Sequence, residues 1–148
     1  MKKENNITII DFSPSNRKEI IDLITKILEE FGFKLNQKLD RDLYNIENEY
    51  LKFFIVRNPQ NIVGCIGIKK LSDKTAKFKR LYVALEYRGR GLGKKLIQKS
   101  IDFCLRNNFR KIISDTTKRN KAAIKLFQNF GFQKIKKEGE NLFFEKNL

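Results

Sequence analysis

The chain contains no histidine. That excludes His-based catalytic triads and most zinc sites, and it removes the commonest general base. Cysteine is scarce: Cys65 and Cys104 stand far apart and outside any CxxC pattern. They read as buried thiols of a protein kept in a reducing cytoplasm. No apolar run approaches the ~18 residues of a membrane span, so no membrane association is expected. The segment Met1–Asn6 leads into a strand pattern and not into the apolar core of a signal peptide. Acidic residues are few, 17 against 32 Lys and Arg, for a net charge of +15.

What is present suits one globular domain over residues 1–148, long enough to bury a real core. Hydrophobic content of 41% is too high for a disordered chain. The positive charge is uneven. Residues 1–70 hold 12 basic and 10 acidic residues, whereas residues 71–148 hold 20 and 7. A basic half points to an anionic partner; a Lys- and Asn-rich composition inherited from the genome is the plainer alternative.

The chain is organised around residues 76–93, Ala-Lys-Phe-Lys-Arg-Leu-Tyr-Val-Ala-Leu-Glu-Tyr-Arg-Gly-Arg-Gly-Leu-Gly. They read as a strand, a glycine-rich turn, and the start of an amphipathic helix. Glycines at 89, 91 and 93 let a ligand approach the backbone, whose N–H groups gather at a helix N-terminus that favours negative charge. Arg88, Arg90, Lys94 and Lys95 add full charges. The turn therefore predicts a phosphate or pyrophosphate pocket, unless it is an ordinary solvated turn capped by arginines. Two familiar motifs fail here. A dinucleotide fingerprint needs a third glycine where Lys94 stands. A Walker A loop needs Gly where Arg88 stands and Ser or Thr where Lys95 stands.

Elsewhere, residues 7–12 read as a strand, and Ser13-Pro14-Ser15-Asn16 as a helix start. Ile20, Ile24, Ile27 and Phe31 recur at helical spacing before Gly32 stops the helix. A second helix is predicted from an N-cap at Asp40 to Tyr50 or Leu51, with Leu39, Leu43, Ile46 and Tyr50 as its stripe. Strands follow at 52–57 and 62–70 around an Asn58-Pro59 turn. In the strand at 76–83 the apolar parity slips between Phe78 and Leu81, which predicts a β-bulge near Lys79-Arg80. A helix carrying Leu92, Leu96, Ser100, Ile101 and Cys104 comes next, then a strand at 111–116, a helix at 119–129, and two closing strands at 132–136 and 142–145. The order is β-α-α-β-β-β-α-β-α-β-β.

Arg88-x-x-Gly91-x-Gly93 after Leu81-Tyr82-Val83 resembles the coenzyme A loop of the GNAT superfamily of N-acetyltransferases. Asp115-Thr116, then Asn120-x-x-Ala123, Phe127 and Gly131-Phe132, resembles that family's downstream segment. The resemblance covers essentially the whole chain beyond the first few residues and implies an α/β, layered α+β fold, with a mixed, mostly antiparallel seven-stranded sheet flanked by about four helices. It also implies an acetyl-CoA-dependent N-acetyltransferase that needs no metal. Leu81, Tyr82 and Val83 would pair with the pantetheine arm, a backbone N–H of Tyr82 or Val83 would face the oxyanion, and Arg88, Gly89, Arg90, Gly91, Leu92, Gly93 and Lys94 would cradle the pyrophosphate. Asn120 would bond the pantetheine, or cap its helix, or both. Phe127 would stand at the cofactor site.

Phe127 is also the departure from the pattern. Many members of the family carry a tyrosine there as general acid, and phenylalanine has no proton to give. A coenzyme A thiol, with a pKa near ~8.5 like cysteine, leaves fairly well unaided. Freeing the attacking amine from its proton is harder, because an amine of pKa ~10.4 is almost wholly charged at neutral pH. Without histidine the base must be a carboxylate. Asp115, at the end of a strand beside the cleft, is the one named. Glu29, Glu30, Asp40, Asp42, Glu47 and Glu49 outnumber the three basic residues of 29–50, and in the family the early helices line the acceptor side, so an acidic acceptor pocket is expected.

The acceptor amine is left open between a small molecule and a peptide or protein, and the oligomeric state between monomer and homodimer. A non-catalytic acyl-CoA-binding module is the first rival reading. A nucleic-acid binder is the second, and it lacks a reading helix or an aromatic platform.

Overall fold

The computed structural model describes residues 6–148; Met1–Asn5, the lead-in to the first strand, lie outside them. Seven strands form one sheet in the order β1-β2-β3-β4-β5-β7-β6. They are β1 (Thr8–Asp11), β2 (Lys52–Arg57), β3 (Ile62–Lys70), β4 (Thr75–Val83), β5 (Lys111–Thr117), β6 (Gln133–Glu138) and β7 (Asn141–Asn147). All neighbours are antiparallel except β4 and β5. The α-helices are α1 (Arg17–Glu30), the single turn α2 (Ile46–Glu49), α3 (Leu92–Arg106) and α4 (Lys121–Asn129).

The central strands are covered on both faces, and alternation along them divides the core. Phe54, Val56, Ile66, Ile68, Ala76 and Phe78 meet α3 and α4 on one face. Phe53, Ile55 and Cys65 meet α1 and the segment around α2 on the other. In α1 the buried residues Ile20, Leu23, Ile24 and Ile27 keep the i, i+3, i+4, i+7 spacing of one helical stripe. A 3-10 turn at Pro14–Asn16 leads into α1, closed by the Ser13 N–H donating to Asn16 Oδ1 at 3.0 Å. No described helix is long and apolar enough to cross a membrane.

Two features differ from or refine the sequence expectation. Residues 40–50 do not form one helix. A 3-10 turn at Arg41–Tyr44 and the turn α2 are separated by Asn45, whose backbone is not helical. Asp40 makes no side-chain cap; its carboxylate accepts from Asn36 N–H at 2.8 Å and from Arg80. The tertiary demand on these aspartates overrides local helix propensity. The bulge in β4 is present. Cys65 faces Tyr82 and Gly67 faces Lys79, so Arg80 and Leu81 together oppose Ile66. Arg80 takes φ of 60°, rare for a residue with a Cβ.

The feature that makes a site is the splay of β4 from β5. Their parallel pairing runs from Thr75–Lys111 to Phe78–Ser114 and stops, while both strands continue to Val83 and Thr117. A wedge opens between them, with α3 and α4 starting at its mouth.

Candidate active site

Two cavities of about 320 Å³ each meet at this wedge. Leu81, Tyr82, Asn120 and Ala123 belong to the walls of both.

The first cavity is walled by the end of β4, the glycine turn and one face of α4. Ala84 N–H donates to Val63 carbonyl at 2.8 Å. Because antiparallel ladder bonds alternate, Tyr82 two residues back turns its backbone toward β3, and Leu81 and Val83 turn theirs toward the wedge. Val83 carbonyl is taken by Arg88 Nε at 2.8 Å, leaving its N–H facing the gap. Gly89 and Gly91 hold φ of 79° and 80°, and no atom lies within 4 Å of where a Cβ would stand on either. Their left-handed backbone is what the turn requires, and it lies bare toward any ligand. Gly93 serves packing as well: a Cβ there would come within 2.9 Å of Leu126. Asn120 caps α4, its Oδ1 accepting from Ala123 N–H at 3.1 Å, so the amide retains its Nδ2 donors.

The residues the sequence singled out are mostly gathered here. Leu81, Tyr82, Val83, Arg88, Gly89, Gly91, Leu92, Gly93, Lys94 and Asn120 line this one cavity. Three are placed differently. Arg90 is turned back over the Tyr87 ring, 4.8 Å from its centroid, and donates to Glu86 carbonyl. Phe127 lies under the second cavity, 2% exposed, its ring 5.3 Å from Phe132 and 5.6 Å from Phe144. Asp115 also lines the second cavity, 3.5 Å from Lys77. Arg88 does reach the first cavity, but its guanidinium is forked onto Glu30 of α1. Sequence reasoning missed the α4 contribution of Ala122, Lys125, Leu126 and Asn129. Their i, i+3, i+4, i+7 spacing was legible as a second stripe on that helix.

The second cavity is built on a charge network. Arg80 reaches from the bulge to Asp42 at 2.7 and 3.0 Å and to Asp40 at 2.8 Å, with its side chain only 7% exposed. Tyr50 hydroxyl donates to Asp42 at 2.6 Å. The Tyr50 ring crosses β3 where residue 67 is glycine; a Cβ there would stand 2.4 Å from it. Arg80 carbonyl, freed from the ladder by the bulge, accepts from the Cys65 thiol at 3.2 Å. Burial opposes the charge on Asp42, yet the hydrogen bonds and charge of Arg80 outweigh it and hold the carboxyl below its usual range. Burial pushes the Cys65 thiol up to about 12, so it stays a protonated donor.

The expected acidic pocket is therefore corrected. Asp40 and Asp42 share the guanidinium of Arg80, while Glu30 pairs with Arg88, Glu47 with Arg17 at 2.6 Å and Glu49 with Lys69 at 3.2 Å. Five of the six acids of residues 29–50 are tied into ion pairs with distant cations.

Comparison with known proteins follows the same lines. A sequence model of the acetyltransferase (GNAT) family matches residues 19–132. The chain is 29% identical over 107 residues to N-acetylaspartate synthetase of Danio rerio, covering 68% of this chain and 38% of that protein. It spans about a third to a half of the length of the curated relatives it matches. An acetyltransferase of the GNAT family from Staphylococcus aureus superposes with a TM-score of 0.89 at 33% identity, over 95% of this chain and 98% of that one. An N-acetyltransferase from Thermoplasma acidophilum, solved in complex with coenzyme A, shares the fold at a TM-score of 0.77 and 16% identity, over 96% and 99% of the two chains.

Proposed function

We propose that this chain, which belongs to the acetyltransferase (GNAT) family, moves an acetyl group from acetyl-CoA to a primary amine by direct attack in a ternary complex. The observation that carries this reading is the junction of the two cavities at Leu81, Tyr82 and Asn120. A thioester whose pantetheine lies along Leu81–Val83 presents its carbonyl there, and the second cavity brings an amine to it from the other side.

In this scheme the neutral amine nitrogen attacks the thioester carbon, and a C–N bond forms as the C–S bond breaks. The N–H of Val83, turned toward the wedge, stabilises the oxyanion. Asp115 takes the proton from the amine and passes it to solvent. The thiolate leaves with no protein acid, since Phe127 has none to offer, and is protonated by water. Proximity across the junction supplies much of the rate. Gly89, Gly91 and Lys94 hold the pyrophosphate through backbone N–H groups and charge. Arg88 joins them by leaving Glu30, or stays as the clasp between the glycine turn and α1.

A thermal-shift titration with acetyl-CoA, with heparin as a polyanion control, tests the cofactor. Saturation at 100 times the dissociation constant adds about 2.7 kcal/mol, several degrees for a domain of this size. A shift with acetyl-CoA alone supports the reading, and equal shifts with both ligands count against it. Turnover with an amine panel then separates a transferase from a module that binds without reacting, the reading that Phe127 favours.

A further inference from the structure

Lys69, Lys77, Lys79 and Arg80 stand on neighbouring stretches of β3 and β4, and three of the four have a carboxylate of their own. Lys69 has Glu49 at 3.2 Å, Lys77 has Asp115 at 3.5 Å, and Arg80 has Asp40 and Asp42. Lys79 lines the second cavity and, among the described residues, has no hydrogen-bonded or ion-paired partner. Its charged neighbours are Asp42, already held by Arg80 and Tyr50, and the three cations. Burial, with those cations beside it, lowers the ammonium from the ordinary lysine value. A half-buried cation among other cations gains from an anion that enters the cavity. The same cavity offers apolar wall from Phe31, Phe33 and Leu39. At about 320 Å³ it sits at the small end of the ~300–1,000 Å³ common for small-molecule sites.

We propose that Lys79 is the anion-binding point of the acceptor site, so that the amine acylated here carries a carboxylate, seated on Lys79, beside an apolar body. That chemistry is a free amino acid. A lysine within a protein has no such carboxylate, since its own is tied up in the peptide bond. The proposal rests on the acetyltransferase reading for what becomes of the amine, and on the second cavity alone for the anion.

The test uses products, which bind without turnover. N-acetyl leucine, phenylalanine, aspartate and lysine, each as the acid and as its C-terminal amide, are titrated calorimetrically into the wild-type chain, Lys79→Met and Lys79→Gln, with coenzyme A present. At least one acid binds wild type about tenfold or more tightly than its amide, as a charge-assisted hydrogen bond predicts. Both variants bind acid and amide alike, and all three proteins bind coenzyme A equally, which reports an intact fold. The proposal is overturned if wild type prefers no acid over its amide, or if the preference survives in both variants. The coenzyme A titration reads the other question separately. An acid preference that depends on Lys79, in a chain that does not bind coenzyme A, sinks the transferase reading and supports the anion site.

Discussion

The two cavities share four wall residues but are built in opposite ways. The first is local: nearly all its wall comes from residues 81–94 and 120–129, where the left-handed glycine turn and backbone N–H groups stand among Arg88, Lys94, Asn120, Lys125 and Asn129. The second gathers residues 28–40, 78–82, 114–117, 127 and 141, and the charge network beside it pairs Arg80 with Asp42 and Asp40 across 38 and 40 residues of sequence. A cavity whose turn is set by left-handed glycines depends on φ at Gly89 and Gly91. A cavity of buried charges depends on every partner, because any one removed leaves another charge desolvated.

Asp42→Ala breaks the charge network beside the second cavity. Arg80 keeps one carboxylate and Tyr50 hydroxyl loses its acceptor, so a loss of about 3–5 kcal/mol is expected in urea denaturation. A loss under about 1 kcal/mol would make the network no better than a surface ion pair and erase the contrast. Acid acts on the same group. The Asp42 pKa is lowered in the fold from 3.8, so its contribution is complete above that value and disappears as pH falls through the lower folded value. Stability measured against pH should show the wild-type advantage over Asp42→Ala shrinking only below about pH 4.

Asp115→Asn tests chemistry at the junction. Removing the proton acceptor should lower kcat about 10²-fold or more while coenzyme A affinity stays unchanged. An unaltered kcat would remove Asp115 from the reaction.

Gly91→Ala acts on the first cavity alone. No atom crowds a Cβ there, so the cost is the left-handed backbone, about 1–2 kcal/mol. Calorimetry should show coenzyme A binding about tenfold weaker, with acid binding at the second cavity intact. Loss at both sites would mean that the two cavities are not separable.

Phe127→Tyr is the mildest change. The hydroxyl enters from under the second cavity, and unfolding free energy should move by less than about 1.5 kcal/mol if it reaches the cavity. With so good a leaving group, kcat should rise less than about tenfold. A larger rise would show that protonation of the thiolate limits the rate.

How far the sequence could be read follows the same division. Gly89, Gly91 and Asn120 were legible because a turn, a helix start and a cap are set by residues a few positions apart. The bulge near Arg80 was legible too, since a parity slip in a strand is local. The side-chain partners of Arg80 were not. Asp40 and Asp42 read as a helix start, and nothing nearby distinguishes a solvated aspartate from one that turns inward to a guanidinium. Phe127 was assigned to the right helix, but its burial against Phe132 and Phe144 was not legible, because helical spacing gives the face and not the depth.

By itself, then, the sequence determined the order of elements, the left-handed glycine turn at the start of α3 and the lack of any histidine base. These follow from φ preferences, periodicity and composition, which act within one or two turns of chain. Only the tertiary structure decided that β4 and β5 part after Phe78 and Ser114, that most of the acidic stretch is drawn into ion pairs, and that among the described residues Lys79 is left without a carboxylate. Those outcomes depend on which charges meet when the sheet closes. Coulomb energy in a desolvated interior is set by distance in space, and separation along the chain carries no record of it.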